Sequence, residues 1–133
     1  MLRVEFHCHT IYSKDSLLKP EALVETCLRK GIQRVVVTDH NTTAGARRAQ
    51  QIDPERVIIG EEIMTRQGEL LAAFMTEEIP PGMPVLETIE ILRSQGAFIS
   101  VSHPFDRQRS GHWQPDELRV IARSPSLPRS LVC

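Results

Sequence analysis

Two periodicities of apolar and polar positions alternate along the chain. Short runs such as QRVVVT and AFISV are apolar on both faces, which is typical of strands buried in a parallel sheet. Longer segments with apolar residues three or four positions apart are typical of amphipathic helices. The predicted strands cover residues 3–9, 33–38, 56–60 and 97–101, with a hairpin at 63–74. The predicted helices cover residues 20–30, 44–51, 85–95 and 115–123.

This order of elements predicts an α/β fold. A helix between two strands acts as a crossover connection and leaves the strands parallel, so we expect a mostly parallel sheet. Residues 1–122 are predicted to form one domain. Residues 123–133 are predicted to be an irregular tail, because Pro125 and Pro128 interrupt the alternation where another strand is due.

Composition excludes several classes of protein. The 133 residues include 16 basic and 17 acidic residues, a balance unlike that of a general nucleic-acid-binding protein. No apolar run approaches the ~18 residues of a membrane span, so no membrane partner is expected. Three cysteines without a C-x-x-C spacing argue against a disulfide framework and favour a cytoplasmic location. The chain is too short for an eight-stranded α/β barrel, which needs roughly 200 residues.

His7 and His9 occupy alternate positions of the first predicted strand. Alternate residues of a strand point to the same side, so both imidazoles face one site. Such a pair suits Zn²⁺, Mn²⁺ or Fe²⁺. A chance pair on an exposed strand end is the alternative interpretation. Asp15, in the following polar loop, is either a further ligand or a turn former.

Ionisable residues also follow two later strands. Asp39 and His40 come directly after the strand at 33–38, and we predict His40 as a ligand and Asp39 as a residue that orients its neighbours. Glu61 and Glu62 follow the strand at 56–60. One of two adjacent carboxylates must point away from the site, and the other would bridge two metal ions. The alternative is a solvated acidic pair at a strand end.

His103 and Pro104 end the last predicted strand. Pro104 favours an extended conformation at His103, which would aim the imidazole out of the sheet edge. Arg107 and Arg109 are candidates for binding a substrate phosphate through charge-assisted hydrogen bonds, although a surface ion-pair network is the alternative. The carboxyl ends of parallel strands meet at one edge, where active sites form. Together these residues therefore predict a metal centre there.

The same residues form an ordered set of motifs. The set consists of H-x-H at His7 and His9, S-x-D ending at Asp15, T-D-H ending at His40, G-x-E ending at Glu62, and H-P at His103. This set resembles the PHP (polymerase and histidinol phosphatase) superfamily, over residues 1 to about 122.

The resemblance implies a fold, an activity and a ligand set. It implies a partial, distorted (β/α)₇ TIM-like barrel with two or three divalent metal ions, and hydrolysis of phosphoester bonds through a metal-activated hydroxide. Small phosphorylated compounds, including nucleotides or oligonucleotides, are the implied substrates. By position, His7 and His9 would hold one ion, Asp15 and His40 another, Glu62 would bridge, and His103 would complete a third site.

The chain departs from the family pattern at two places. Glu69 stands where many members have a further histidine; as an oxygen ligand it would favour Mn²⁺ over Zn²⁺, whereas in a turn it would face solvent. The late D-x-H motif of the family is absent after His103, so we expect a truncated domain with an open barrel. The alternative function is then a non-catalytic fragment, or a metal-binding module completed by a partner chain or by self-association through an open sheet edge.

Overall fold

A computed structural model describes residues 1–109 and 111–123, so the predicted tail beyond Arg123 lies outside the described residues. The strands are β1 (Val4–Cys8), β2 (Arg34–Val37), β3 (Val57–Met64), β4 (Glu69–Ala73) and β5 (Phe98–Val101). The helices are α1 (Pro20–Lys30), α2 (Ala44–Ile52), α3 (Val85–Ser94) and α4 (Pro115–Arg123). In the described part of the chain, no helix has the length and apolar character needed to cross a membrane.

The five strands form one sheet in the order β1-β2-β3-β4-β5. β1 pairs with β2 and β2 with β3 in parallel, whereas β4 is antiparallel to both β3 and β5. The expected mostly parallel pairing is therefore not found, because the strand returning from the hairpin inserts between β3 and β5. The strands β1, β2, β3 and β5 still run in the same direction, so their carboxyl ends meet at one edge.

β3 is longer than the sequence pattern predicts. It continues past Gly60 to Met64, because the ladder with β4 extends from Gly60 opposite Ala73 to Met64 opposite Glu69. A Cβ atom at position 60 would lie only 2.6 Å from the Ala72 carbonyl oxygen, which explains the glycine within the strand. Glu61 and Glu62 are consequently residues of a strand, on opposite faces of the sheet.

Helices cover the outer face of the sheet. Under α1 and α2, a cluster that includes Leu23, Val35 and Ala49 packs against the first three strands. A second cluster, which includes Ile89 of α3 and Leu70 of β4, lies under the last two strands. Full burial of one such side chain stabilises the fold by about 1.5–3 kcal/mol, so the helices hold the strands in fixed positions.

The inner face is concave and open. Phe6 of β1 and Phe98 of β5 meet edge to face, with ring centroids 5.3 Å apart, although their strands lie at opposite ends of the sheet order. This contact shows that the sheet curls into a half-barrel. The rings themselves remain 45% and 39% exposed. A barrel of seven strands stays a prediction, since the described residues contribute five.

Candidate metal centre

Glu62, fully buried at the inner face of β3, lies at the centre of the predicted site. Its Oε2 lies 3.2 Å from Nε2 of His7 and 3.1 Å from Nε2 of His9. Its Oε1 accepts a hydrogen bond from the Ser102 hydroxyl at 2.5 Å and lies 3.5 Å from Nε2 of His103. The two carboxylate oxygens therefore face different histidines.

His7 of β1, His9 just after it, and His103 after β5 approach this carboxylate from two sides. His7 and His9 do face one side, with their Nε2 atoms 2.8 Å apart. The expected extended conformation of His103 is wrong: its φ is +47°, in the left-handed region. The chain turns directly after β5, where the His103 carbonyl accepts the Asp106 N–H. Strained backbone of this kind is common at functional sites.

Asp15 joins the histidines that follow β1 and β2. Its Oδ1 lies 3.1 Å from Nδ1 of His9, and its Oδ2 lies 3.2 Å from Nε2 of His40. The other ring nitrogen of His40, Nδ1, lies 3.5 Å from Oε2 of Glu62. The loop carrying Asp15 thus reaches the same cluster as the strand residues.

Two groups of three donors are placed so that each could hold a divalent ion. In each group the donor atoms lie within 4.8 Å of one another. The groups are His7, Glu62 and His103, and His9, His40 and Glu62. Imidazole nitrogen with carboxylate oxygen suits Zn²⁺, Mn²⁺ and Fe²⁺. The residues present therefore fit divalent metal ions, and Glu62 belongs to both groups.

Asp39 is fully buried and lies behind this cluster, where it binds the loop that follows β1. Its Oδ1 accepts hydrogen bonds from the Thr10 N–H at 2.6 Å and the Ser13 hydroxyl at 2.8 Å, and its Oδ2 accepts one from the Thr10 hydroxyl at 2.7 Å. The Ser13 oxygen in turn accepts the N–H of His40 at 2.8 Å. Asp39 thus orients the loop and the His40 backbone, and its own carboxylate is occupied by these bonds.

The two candidate arginines lie in different surroundings. Arg109 donates to Oε2 of Glu69 at 3.0 Å, while Oε1 of Glu69 lies 3.6 Å from Nδ1 of His40. Glu69 is only 6% exposed, so it does not face solvent. Arg107 is exposed and lines a separate cavity of about 250 Å³ with Phe105 and other residues. Of the two, Arg109 is the one placed beside the metal-ligand cluster.

Sequence reasoning missed Ser102. Ser102 is 3% exposed, and its hydroxyl makes the short bond to Glu62 described above. The available signal was positional: Ser102 lies next to His103, with its side chain on the inner face of the sheet. Serine is so common at strand ends that its type alone indicates nothing.

The ionised forms of Glu62 and His9 stabilise each other. Burial alone would raise the pKa of Glu62, but hydrogen bonds from His7, His9 and Ser102 outweigh it and hold that pKa well below the usual range. The hydrogen bond with Glu62 raises the pKa of His9 to about 9, with Asp15 adding to the effect and burial opposing it. Metal ions bind neutral imidazole, so an ion held by His9 near neutral pH would displace its proton.

Glu61 is the counterpart of Glu62 on the outer face. It is fully buried, and its Oε2 accepts the Ile79 N–H at 3.1 Å. Within the described part of the chain its Oε1 has no hydrogen-bond partner. Burial raises the pKa of Glu61 to about 7. The folded chain therefore favours the protonated carboxyl, and deprotonation costs stability.

We expect Glu61→Gln to reduce the pH dependence of stability. The raised pKa of Glu61 stabilises the fold fully below its unfolded value near 4.5, and this contribution is lost as pH rises through about 7. The wild type should thus lose about 1–3 kcal/mol more than the variant between pH 4.5 and 8, at ~1.4 kcal/mol per pKa unit. Urea unfolding of both metal-free proteins checks this, and parallel pH profiles would contradict it.

Residues 5–107 match the family model described as PHP domain. The chain is 35% identical to the uncharacterized protein MJ1587 and 39% identical to the uncharacterized protein MJ0417, both of Methanocaldococcus jannaschii. These matches cover 78% and 81% of this chain, but 68% and 42% of the two relatives.

The fold is similar to a crystal structure of a "putative metal-dependent phosphoesterase" from Bifidobacterium adolescentis, with a TM-score of 0.70 at 16% identity. That similarity covers 90% of this chain and 73% of the other. The match to the family model extends over most of the chain and includes the strands, loops and turn that supply the clustered histidines and carboxylates. The chain therefore belongs to the PHP domain family.

Proposed function

We propose that this chain is a metal-dependent phosphoesterase domain that hydrolyses a phosphate ester of a small molecule, a nucleotide or an oligonucleotide. The observation that supports this most is the buried carboxylate of Glu62, which belongs to both groups of metal donors. A carboxylate that belongs to two donor groups would suit a two-metal centre, which many phosphatases and nucleases use. Mn²⁺, Zn²⁺ and Fe²⁺ all suit the donors.

The residues around this centre have different roles. Bound divalent ions supply Lewis acidity, which offsets phosphoryl charge and lowers the pKa of a water molecule. Glu62 and the histidines would hold the ions at the sheet edge, and Ser102 fixes the Glu62 carboxylate through its hydrogen bond. Asp39 keeps the loop of Asp15 in place. Arg109 adds a positive charge beside the cluster, suited to an anionic substrate.

Metal content and hydrolysis test the proposal together. We expect the Mn²⁺-loaded protein to hold two equivalents by elemental analysis and to hydrolyse a phosphomonoester. His7→Ala and His40→Ala, one from each donor group, should each lose metal and activity, whereas His112→Ala, from a loop outside the cluster, should keep both equivalents. A metal-loaded protein without activity toward phosphomonoesters or phosphodiesters would overturn the proposal.

A metal-binding module completed by a second copy is the second candidate. The exposed Val4, Phe6 and Phe98, two of them on the inner face of the half-barrel, favour it, because apolar side chains exposed together often mark an interface. Light scattering of the metal-loaded protein distinguishes the candidates. An active monomer would exclude the need for a second copy.

A further inference from the structure

A buried carboxylate and a guanidinium meet at the side of the metal centre. Glu69 is the first residue of β4, and the hairpin brings it to the edge where the ligands lie. Its Oε2 accepts a hydrogen bond from a terminal nitrogen of Arg109 at 3.0 Å, and its Oε1 lies 3.6 Å from Nδ1 of His40. The charge of Glu69 therefore has two available partners, a metal ion held with His40 or the side chain of Arg109.

The geometry favours Arg109 as the partner. In residues 1–109 and 111–123, the groups of three donors that could hold an ion contain Glu62 and do not contain Glu69. The Glu69 side chain is only 8% exposed in its bond with Arg109. A charge-assisted hydrogen bond to a buried carboxylate is stronger than a surface ion pair, and the Arg109 side chain itself is 38% exposed.

Arg109 has donors beyond the one that Glu69 uses. A guanidinium carries five N–H groups, and one of them serves Glu69. The Nε atom lies 3.6 Å from Oδ2 of Asp106, too far for a hydrogen bond. Arg109 also borders a cavity of about 290 Å³ that is lined by His40, Met64 and Glu69. The Arg109 guanidinium, hydrogen-bonded to Glu69 and in a longer ion pair with Asp106, thus adjoins a cavity that is also lined by the predicted metal ligand His40.

We propose that Glu69 is a positioning residue that holds Arg109, and that Arg109 binds the phosphate group of the substrate in this cavity. The inference rests on the proposed function, and it assigns Glu69 to the arginine instead of to a metal ion. The planar fork of arginine matches two oxygens of a phosphate, and a preformed orientation reduces the entropy lost on binding. The chain therefore recognises its substrate partly through a residue on the loop after β5.

A double-mutant cycle measures this coupling, with inorganic phosphate as the probe. The proteins are the wild type, Arg109→Gln, Glu69→Gln and the double variant, each studied by calorimetry with and without Mn²⁺. In the wild-type background we expect Arg109→Gln to weaken phosphate binding about 10- to 100-fold. This loss of affinity corresponds to the free energy of one hydrogen bond to a charged group. In the Glu69→Gln background the same change should weaken it less than about threefold, because Arg109 is no longer held.

Two further variants serve as controls. Arg119→Gln removes an arginine from the exposed side of α4, where it pairs with Asp116, and should leave phosphate binding within about twofold of wild type. Arg109→Lys keeps the charge without the fork and should bind phosphate with intermediate affinity. The Mn²⁺ content of Glu69→Gln should equal that of the wild type.

Several results would overturn the inference. A lost equivalent of Mn²⁺ in Glu69→Gln would make Glu69 a ligand, and an equal or larger effect of Arg109→Gln in the Glu69→Gln background would exclude positioning. If Arg107→Gln weakened phosphate binding and Arg109→Gln did not, the phosphate subsite would be at Arg107. If the cycle shows the expected coupling but the wild type holds no Mn²⁺ or hydrolyses no phosphate ester, the proposed function fails, and Glu69 and Arg109 form a phosphate-binding site without the assignment to a substrate.

Discussion

Glu62→Gln is expected to empty the metal centre and to abolish phosphoesterase activity. Glu62 belongs to both donor groups, and an amide is a much poorer ligand than a carboxylate, so the loss affects both ions at once. Since removal of one preorganised electrostatic group costs about 10²–10³ in kcat, the loss of the shared ligand should cost at least that much. Elemental analysis of the Mn²⁺-loaded protein and phosphomonoester hydrolysis provide the measurements.

Glu61→Gln is the matched control for this experiment. It makes the same chemical change one residue earlier on the same strand, but on the opposite face of the sheet. We expect Glu61→Gln to retain both equivalents of metal. Equal metal content in the two variants would show that Glu62 does not hold the ions.

Gly45→Ala is expected to destabilise the protein, although alanine favours a helix interior over glycine by about 1 kcal/mol. Gly45 is buried in the first turn of α2, and a Cβ atom there would overlap Oδ2 of Asp39 and the Thr10 hydroxyl oxygen. Overpacking of this kind costs about 1–3 kcal/mol. The clash also displaces the carboxylate that fixes the Asp15 loop, so Mn²⁺ affinity should fall as well. Urea unfolding and Mn²⁺ calorimetry measure the two effects.

Ala44→Gly provides the reverse change at the neighbouring, exposed position of α2. We expect it to lower the free energy of unfolding by at most about 1 kcal/mol and to leave Mn²⁺ binding unchanged. If Gly45→Ala proved as stable as the wild type, the close packing of α2 against Asp39 would be refuted.

Features set by neighbouring residues were predictable from the sequence. The predicted limits of α1 match the structure, because Pro20 suits its first turn and Gly31 adopts the left-handed conformation that ends it, with φ +67°. His7 and His9 share a side as the period of a strand predicts, although the register of β1 shifts between Glu5 and Cys8 and β1 ends at Cys8. The family resemblance rested on such local motifs, which explains why it was correct.

Features that depend on distant partners were not predictable. The predicted hairpin at 63–74 contains only part of the ladder between β3 and β4. The ladder extends back to Gly60, which makes Glu62 a residue of β3, and no residue before position 60 signals that extension. The φ of His103 depends on how the chain leaves β5, beyond the influence of Pro104. The bond between Arg109 and Glu69 joins positions 40 residues apart, and the separation of Arg107 from Arg109 depends on a loop without a periodic pattern.

The insertion of β4 determines the direction in which β5 runs. β4 reverses the chain direction once and β5 reverses it again, so His103 arrives at the same edge as His7, His9 and His40. With an even number of strands between β3 and β5, all joined antiparallel, β5 would run the other way and deliver His103 to the opposite edge. The hairpin therefore cannot be deleted while β5 remains antiparallel to its neighbour, and its turn also sets the position of Glu69 beside Arg109.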